Sequence, residues 1–365
     1  MKRPEGVAWP TPEQELLLRA ALAEGDPAVA LWEEWSALVP LEDVDAGSHR
    51  LLPLLYRTLA AAGVEESRLT KLKGVYRYSW SRNQLLFHRA AALLPEFAAA
   101  GIDTLVLKGA ALSTLYYGDL GARPMDDLDL LVPRADAARA MQLLQASGWR
   151  PATPRPESRL AVWHADSFVD EGGRFLDLHW NALWQLSDDA DLWSGAVPTT
   201  LNGVPTKTLG HGDQLLHVCV HGLRWAPIAP IRWVADAAKI MEGAGADLDW
   251  DRVAALARAN ALTLSLEHAL RYLAEALAAP VPPVVIAELA AAKKPLHERL
   301  AFRASMRRPN PARMLRVLWE RHRRLGPDSG SFLTLVQRHA GLERRSQLPG
   351  HVVRQLRAGR WRRTG

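Results

Sequence analysis

The sequence predicts an α+β protein in which a small mixed β-sheet lies between helical segments. Residues 1–95 carry apolar side chains at helical spacing, and helical spacing returns at about residue 211. Residues 96–210 instead alternate short apolar strands with helices. We therefore expect an N-terminal helical segment (1–95), a sheet-containing core (96–210), a helical domain packed over the site (211–300) and an Arg-rich helical tail (301–365).

The N-terminal segment contains clear signals for helix ends. Thr11 and Pro12 predict an N-cap followed by the first helical residue. A second helix is expected over 50–62, ending before Gly63, and a longer one over 66–100, ending before Gly101. These helices are predicted to have packing roles.

The core is predicted to alternate strand and helix. After a strand at 104–107 we expect a helix at 110–117, the strand that begins near Asp127, and a helix at 134–147 closed by Gly148. Strands at 161–169 and 174–180 follow, and the turn Asp170-Glu171-Gly172-Gly173 between them predicts a hairpin. The result is a small mixed sheet with helices against it.

Two acids occupy positions where a buried strand should be apolar. Because side chains alternate along a strand, Asp127 and Asp129 project to the same face, separated by roughly 7 Å of chain. Burying two carboxylates together is costly unless a cation lies between them. Mg²⁺ fits best, since it takes one or two carboxylates and completes its coordination with water and phosphate oxygens. The alternative is an exposed edge strand.

Three motifs in fixed order carry a family resemblance: Leu107-Lys108-Gly109, Arg123-Pro124-Met125-Asp126-Asp127-Leu128-Asp129 and Asp177-Leu178-His179-Trp180. In order and spacing they resemble the nucleotidyltransferase superfamily typified by DNA polymerase beta. Within it, the chain is most similar to a bacterial group of uncharacterised nucleotidyltransferases. The resemblance covers about residues 85 to 245 and implies an α+β nucleotidyltransferase core.

The resemblance implies roles for individual residues. Asp127 and Asp129 would bind two Mg²⁺ ions, and Asp177 would be the third catalytic carboxylate, binding the ion beside the attacking hydroxyl. Lys108 and Gly109 stand where the superfamily has small residues at a phosphate-binding turn, so Lys108 departs from the pattern. We also expect substrate contacts from Arg123.

A second group of candidate substrate-binding residues is weighed against purely structural roles: His179, His221, Arg232 and Asp236. His179 shares a strand face with Asp177, while the other three could form a buried structural network. The four-residue spacing of Asp213, His217 and His221 suggests a zinc site, but the glutamate of the usual motif is absent, which argues against zinc there.

Composition limits the class of protein. The 365 residues are 48% apolar, contain one cysteine, Cys219, and include no apolar run long enough for a transmembrane helix, so we expect a soluble cytoplasmic protein. The net charge of +5 is uneven, because residues 301–365 hold 16 Arg and three acids. That tail, with Arg360-Trp361-Arg362-Arg363 near its end, suggests a nucleic-acid or other anionic partner; a solvated helix face is the alternative.

The sequence thus predicts a Mg²⁺-dependent enzyme that moves a nucleoside monophosphate from a nucleoside triphosphate to a hydroxyl or phosphate acceptor. The resembling group implies a peptide or other natural product as acceptor, and a small hydroxyl compound or a tRNA end stays open. One alternative is transfer of a sugar from a nucleotide donor. The other is a non-catalytic module that binds nucleic acid or a partner through the tail.

Overall fold

A seven-stranded mixed sheet lies at the centre of the chain. In a computed structural model that describes residues 8–153, 160, 162–186, 188–308, 310–325 and 330–358, the architecture is α+β, as predicted. The strands are β1 (Leu105–Leu107), β2 (Asp127–Leu131), β3 (Arg150–Pro151), β4 (Ala165–Val169), β5 (Phe175–His179), β6 (Val197–Leu201) and β7 (Val204–Thr208). Their order is β3-β4-β5-β2-β1-β7-β6, with parallel pairing of β2 to β5 and of β1 to β7.

Helices surround this sheet. The first group precedes β1: α1 (Pro12–Leu22), α2 (Gly25–Leu38), α3 (Ala46–His49), α4 (Leu52–Ala61) and α5 (Glu66–Ala99). Three lie between strands: α6 (Lys108–Leu112), α7 (Ala137–Ala146) and α8 (Ala190–Ser194). The rest follow β7: α9 (His211–Gly222), α10 (Arg232–Ala244), α11 (Trp250–Ala259), α12 (Thr263–Leu277), α13 (Pro283–Ala291), α14 (Leu296–Ser305), α15 (Pro311–Leu325), α16 (Phe332–His339) and α17 (Leu348–Ala358).

Local sequence signals located several of these elements. Thr11 caps α1 as predicted, and its hydroxyl accepts a hydrogen bond from the Gln14 backbone N–H. The predicted hairpin is present as antiparallel β4 and β5, although the first strand begins at Ala165 and residue 161 lies outside the described part. The helix predicted over 110–117 begins earlier, at Lys108, and becomes a π-helical turn over Ser113–Tyr117.

The hairpin of β6 and β7 was missed by the sequence analysis. Asn202 and Gly203 join the two strands, and both have positive φ, +49° and +79°. Asn-Gly between alternating strands is the strongest short hairpin signal, because the mirror-image turn needs positive φ at both positions. This hairpin extends the sheet, since β7 pairs with β1.

The two faces of the sheet belong to different apolar clusters. On β1 and β2, Leu107 and Leu131 join a cluster with α1, α4 and the helices from α9 to α14. Val106 and Leu130 join a second cluster with the C-terminal half of α5 and with α7. By strand alternation, Asp127 and Asp129 share the face of Leu131. The acidic face is therefore the one that α9 and α10 cover.

The loop that leads into β2 is fixed by a buried amide of the long helix α5. The Asn83 Nδ2 donates to the Arg123 carbonyl at 2.8 Å, and the Met125 N–H donates to Asn83 Oδ1 at 3.2 Å. Both bonds are shielded from water, where unpaired backbone groups would be costly. Asn83 thereby sets the position from which the acidic strand begins.

The tail packs on the core through part of its length. Leu318 of α15 and Leu335 of α16 are fully buried in the second cluster, and the Trp163 ring stacks on His339 at 4.7 Å between centroids. The Arg360–Arg363 part of the predicted basic tail lies outside the described residues. Among the helices described, none combines the length and apolar character needed to cross a membrane.

Candidate active site

Three aspartates meet on the face of the sheet covered by α9 and α10. Asp129 of β2 lies directly opposite Asp177 of β5 in the parallel register, and Asp127 is two residues earlier on the same face. Ligand atoms of Asp129, Asp177 and His179 lie within 4.8 Å of one another. The structure thus brings Asp129 and Asp177 together and places Asp127 on the same face; the three are here termed the carboxylate cluster (Asp127, Asp129 and Asp177).

Asp129 is the best-compensated member of the carboxylate cluster. Its Oδ1 lies 2.5 Å from Lys108 Nζ and 2.9 Å from His179 Nε2. Burial alone would raise the pKa of Asp129, but the Lys108 ammonium and the His179 hydrogen bond outweigh burial and hold that pKa well below its usual value. Asp129 is therefore an anion throughout the physiological range.

Asp127 has the opposite environment. Burial and the neighbouring carboxylates of Asp129 and Asp177 raise the pKa of Asp127 to about 7. Within the part of the chain that the structure describes, its carboxylate has no hydrogen bond or ion pair. Three acids at this spot outnumber the one ammonium bonded to them, which leaves an excess of negative charge.

The donor set fits a hard divalent cation. Mg²⁺ prefers carboxylate oxygens and keeps several waters, and the carboxylate cluster offers such oxygens on two adjacent strands. His179 is a weaker candidate, because its Nε2 is already bonded to Asp129. Its Nδ1 is buried without a partner among the described residues. Of the residues whose ligand atoms lie close together, Asp129 and Asp177 therefore fit a hard cation best, and Asp127 lies on the same strand face.

Ser167 is a site residue that the sequence analysis missed. It lies opposite Asp177 in the β4–β5 hairpin and donates its hydroxyl to Asp177 Oδ1 at 2.5 Å. The hairpin turn at Asp170–Gly173 would have revealed this pairing by counting outward from the turn, since register fixes which residues face each other. Ser167 orients Asp177 and leaves the other carboxylate oxygen available.

The Lys108-Gly109 turn has an unusual backbone. Lys108 adopts φ +46°, the left-handed region that favours glycine. Gly109 is required for packing, because an added Cβ would come within 2.6 Å of Met125 Sδ and 2.7 Å of Arg123 Nη1. The turn therefore places the Lys108 ammonium on Asp129 while Gly109 accommodates Arg123.

Arg123, Asp236, Tyr117 and Arg232 form a separate group, here called the arginine network, in which Arg123 and Asp236 are buried and the other two half-buried. The Arg123 guanidinium makes two bonds to the Asp236 carboxylate, at 2.7 and 2.8 Å, and the Tyr117 hydroxyl adds a third at 2.8 Å. Burial opposes ionisation of Asp236, but Arg123 more than offsets it and lowers the Asp236 pKa. Arg232 donates to the Pro124 carbonyl at 2.5 Å. The polar groups of the predicted site residues Arg123, Arg232 and Asp236 are thus bonded to other groups of the protein.

His217 and His221 lie on α9, the helix that covers the acidic face of the sheet. Burial lowers the pKa of His217 to about 3 and that of His221 well below its usual value, so both rings are neutral. The rings stack at 5.8 Å, and His217 Nε2 contacts the Ala182 carbonyl. Asp213 instead pairs with Arg252. Within the described residues the metal-capable group is Asp129, Asp177 and His179, so no zinc site forms along α9.

A known protein family matches the part of the chain that holds this site. The model of a family described as "Uncharacterised nucleotidyltransferase" matches residues 33–278, which is more than half of the chain and includes the carboxylate cluster and the arginine network. A similar solved structure is an antigenic nucleotidyltransferase-like protein from Paracoccidioides brasiliensis, 18% identical, with a TM-score of 0.37 over 57% of this chain and 94% of that one. No curated protein matches the chain.

Proposed function

Because the chain belongs to the family of uncharacterised nucleotidyltransferases, we propose that it transfers a nucleoside monophosphate from a nucleoside triphosphate to a hydroxyl or phosphate acceptor, with Mg²⁺. The observation that carries this proposal is the carboxylate cluster, in which half-buried Asp127 lies beside Asp129 and Asp177 without a partner of its own among the described residues. Such an excess of partly buried negative charge is costly unless a cation is bound. A structural role alone gives no reason to retain it.

Asp127, Asp129 and Asp177 would hold one or two Mg²⁺ ions. When bound, the ions would neutralise phosphate charge and lower the pKa of the attacking hydroxyl. Lys108 forms an ion pair with Asp129, and its ammonium would leave Asp129 to contact a phosphate oxygen. His179 would keep Asp129 oriented, and the free oxygen of Asp177 would accept the proton of the acceptor hydroxyl.

The arginine network and its neighbours would frame the pocket. Arg123 and Asp236 fix the loop before β2, Arg232 holds Pro124, and Gly109 packs against Arg123. His221 lies on the helix that covers the acidic face. We propose indirect contributions from Arg123, Arg232 and Asp236, because their polar groups are already bonded. We also propose that the chain divides into segments at about residues 95, 210 and 300. A cytoplasmic location is likewise part of the proposal.

The test is pyrophosphate release from each nucleoside triphosphate in the presence of Mg²⁺, with peptide and small hydroxyl acceptors supplied. We expect Asp127→Asn with Asp129→Asn to reduce release at least about a thousandfold, a loss of about 4 kcal/mol in transition-state stabilisation. Asp126→Asn is the matched control, since Asp126 is the adjacent exposed acid and pairs with Arg50 and Arg82 at the surface. Wild-type turnover in the double variant would refute the assignment.

The same assay separates the alternatives. A sugar transferase would leave nucleoside triphosphates intact and release a nucleotide from a nucleotide-sugar donor. A non-catalytic module would retain nucleic acid without releasing any product, and its binding would weaken steeply with added salt if the Arg-rich tail carried it. Pyrophosphate release that depends on Asp127 would exclude both.

A further inference from the structure

Arg224 follows directly after the helix that covers the acidic face. It comes two residues after the end of α9, which packs in the same apolar cluster as Leu107 and Leu131 of the sheet. No motif in the sequence surrounds Arg224. In the fold, however, it stands at the end of the helix that covers the acidic face, while Lys108 stands at the end of β1.

The backbone around Arg224 is held on both sides. The Ser305 hydroxyl of α14 donates to the Leu223 carbonyl at 3.3 Å, and the Trp225 N–H donates to the Ser305 carbonyl at 2.6 Å. Just before them, Gly222 packs so closely on the Trp233 ring that a Cβ there would overlap the indole. These contacts fix the backbone on both sides of Arg224.

The guanidinium itself lacks a carboxylate partner. Its Nε is shielded from solvent and has no hydrogen-bond partner among the described residues. Burial lowers the pKa of Arg224, and the charges that oppose this effect are Asp129, Asp127 and Asp177. None of these three lies within 4.0 Å of it as an ion pair, whereas Arg123 is bonded to Asp236. A partly buried guanidinium without an ion-pair partner is costly, and a bound anion would compensate its charge.

Resting on the proposed function, we infer that Arg224 binds the phosphate chain of the nucleotide. A guanidinium presents parallel N–H groups that match two phosphate oxygens, which an ammonium cannot do. An anion without its own cation would be repelled by the carboxylate cluster, so a magnesium-bound triphosphate fits this position better than a simple anionic acceptor. Arg224 and Lys108 would then hold the phosphates from opposite sides.

Titration calorimetry with inorganic tripolyphosphate and Mg²⁺ tests this inference without requiring turnover. We expect Arg224→Gln to weaken binding about ten- to a hundredfold, as for loss of a charged hydrogen-bond donor. Arg224→Lys should recover part of the affinity, because it keeps the charge but not the fork. Binding of the nucleoside alone should be equal in all variants. The matched control is Arg258→Gln, an arginine paired with Glu288 on the surface.

Each further outcome separates the inference from the proposed function. If the wild type releases pyrophosphate and Arg224→Gln binds tripolyphosphate with unchanged affinity, the inference is wrong and the proposed function stands. If Arg224-dependent binding is found but no triphosphate is consumed, the anion site stands and the transferase proposal fails. Should Arg224→Gln not fold, the Lys variant decides, since unchanged affinity with lysine would overturn a bidentate phosphate contact.

Discussion

The carboxylate cluster and the arginine network both place acids in the interior or partly in it, but their charges are balanced in opposite ways. In the arginine network, Asp236 receives two bonds from Arg123 and one from Tyr117, so its charge is balanced within the protein. In the carboxylate cluster, Lys108 and His179 compensate Asp129, while Asp127 lies beside two carboxylates without a partner of its own among the described residues.

This contrast distinguishes a group with a structural role, the arginine network, from a group suited to bind a ligand, the carboxylate cluster. Residues of both groups looked alike in the sequence, as polar side chains within apolar segments. A fully hydrogen-bonded ion pair helps to fix the conformation and needs no ligand. An excess of like charge, by contrast, is destabilising unless a counter-ion binds. We therefore expect substitutions in the two groups to have opposite effects on the free energy of unfolding.

The largest effect on folding should come from breaking the arginine network. Arg123→Gln leaves the buried Asp236 charge without its main partner, and such losses cost about 3–5 kcal/mol of unfolding free energy. Asp127→Asn should instead leave metal-free stability unchanged or raise it, because it removes repulsion from Asp129 and Asp177. Urea denaturation of both variants measures the difference. Equal destabilisation by the two substitutions would contradict the contrast.

The pH dependence of stability should also have opposite signs. Asp127 has a raised pKa of about 7, so between about pH 4 and 7 the native protein holds a proton that the unfolded chain lacks, and its contribution to stability falls as pH rises. Asp236 has a lowered pKa, so its contribution is present above the pKa of an unfolded aspartate and is lost as pH falls.

Thermal melting in metal-free buffer from pH 5 to 8 isolates the Asp127 contribution as the difference between the wild type and Asp127→Asn. We expect the Tm of the wild type to fall relative to the variant as pH rises. Added Mg²⁺ should restore the wild type at pH 8 but have little effect on the variant. A wild-type Tm that rises with pH in parallel with that of the variant would show that Asp127 is not strained by its neighbours.

A smaller effect is expected at Lys108, whose backbone and ammonium make separate contributions. Lys108→Gly and Lys108→Ala both remove the ammonium from Asp129, but only glycine adopts φ +46° without strain. The glycine variant should therefore be about 1 kcal/mol more stable than the alanine variant. Chemical denaturation of the pair measures this, and an equal or more stable alanine variant would show that the left-handed turn is absent in solution.

The smallest effect should follow loss of one hydrogen bond in the arginine network. Tyr117→Phe removes the bond to Asp236 Oδ1, which Arg123 continues to satisfy, so we expect a loss of about 1 kcal/mol. Pyrophosphate release should be retained. A loss of activity that exceeds the loss of stability would assign the Tyr117 hydroxyl to the carboxylate cluster's chemistry instead.

The sequence allowed prediction of features that short segments encode. The alternation around Asp127, Leu128 and Asp129 predicted both a buried strand and its shared acidic face, and the turn before Arg174 predicted the hairpin that carries Asp177. The β6–β7 hairpin was equally readable from Asn202-Gly203 and was overlooked. Each of these depends on neighbouring residues alone.

Features that depend on distant contacts could not be read in this way. Arg123 looked like a phosphate ligand until the fold paired it with Asp236, more than a hundred positions away. Arg224 had no motif, because its environment is made by β2, β5 and α14 together. The left-handed conformation of Lys108 could not be predicted either, because lysine rarely adopts a conformation that glycine usually occupies.

The double anchoring by Ser305 has a practical consequence for dissecting the protein. The family match ends at residue 278, and a fragment cut there would retain every aspartate of the carboxylate cluster yet lose the hydrogen bonds to Leu223 and Trp225. Such a truncated protein should still take up the divalent cation but bind tripolyphosphate poorly. We therefore expect the part of the chain needed for phosphate binding to extend past residue 278, as far as the helix that carries Ser305.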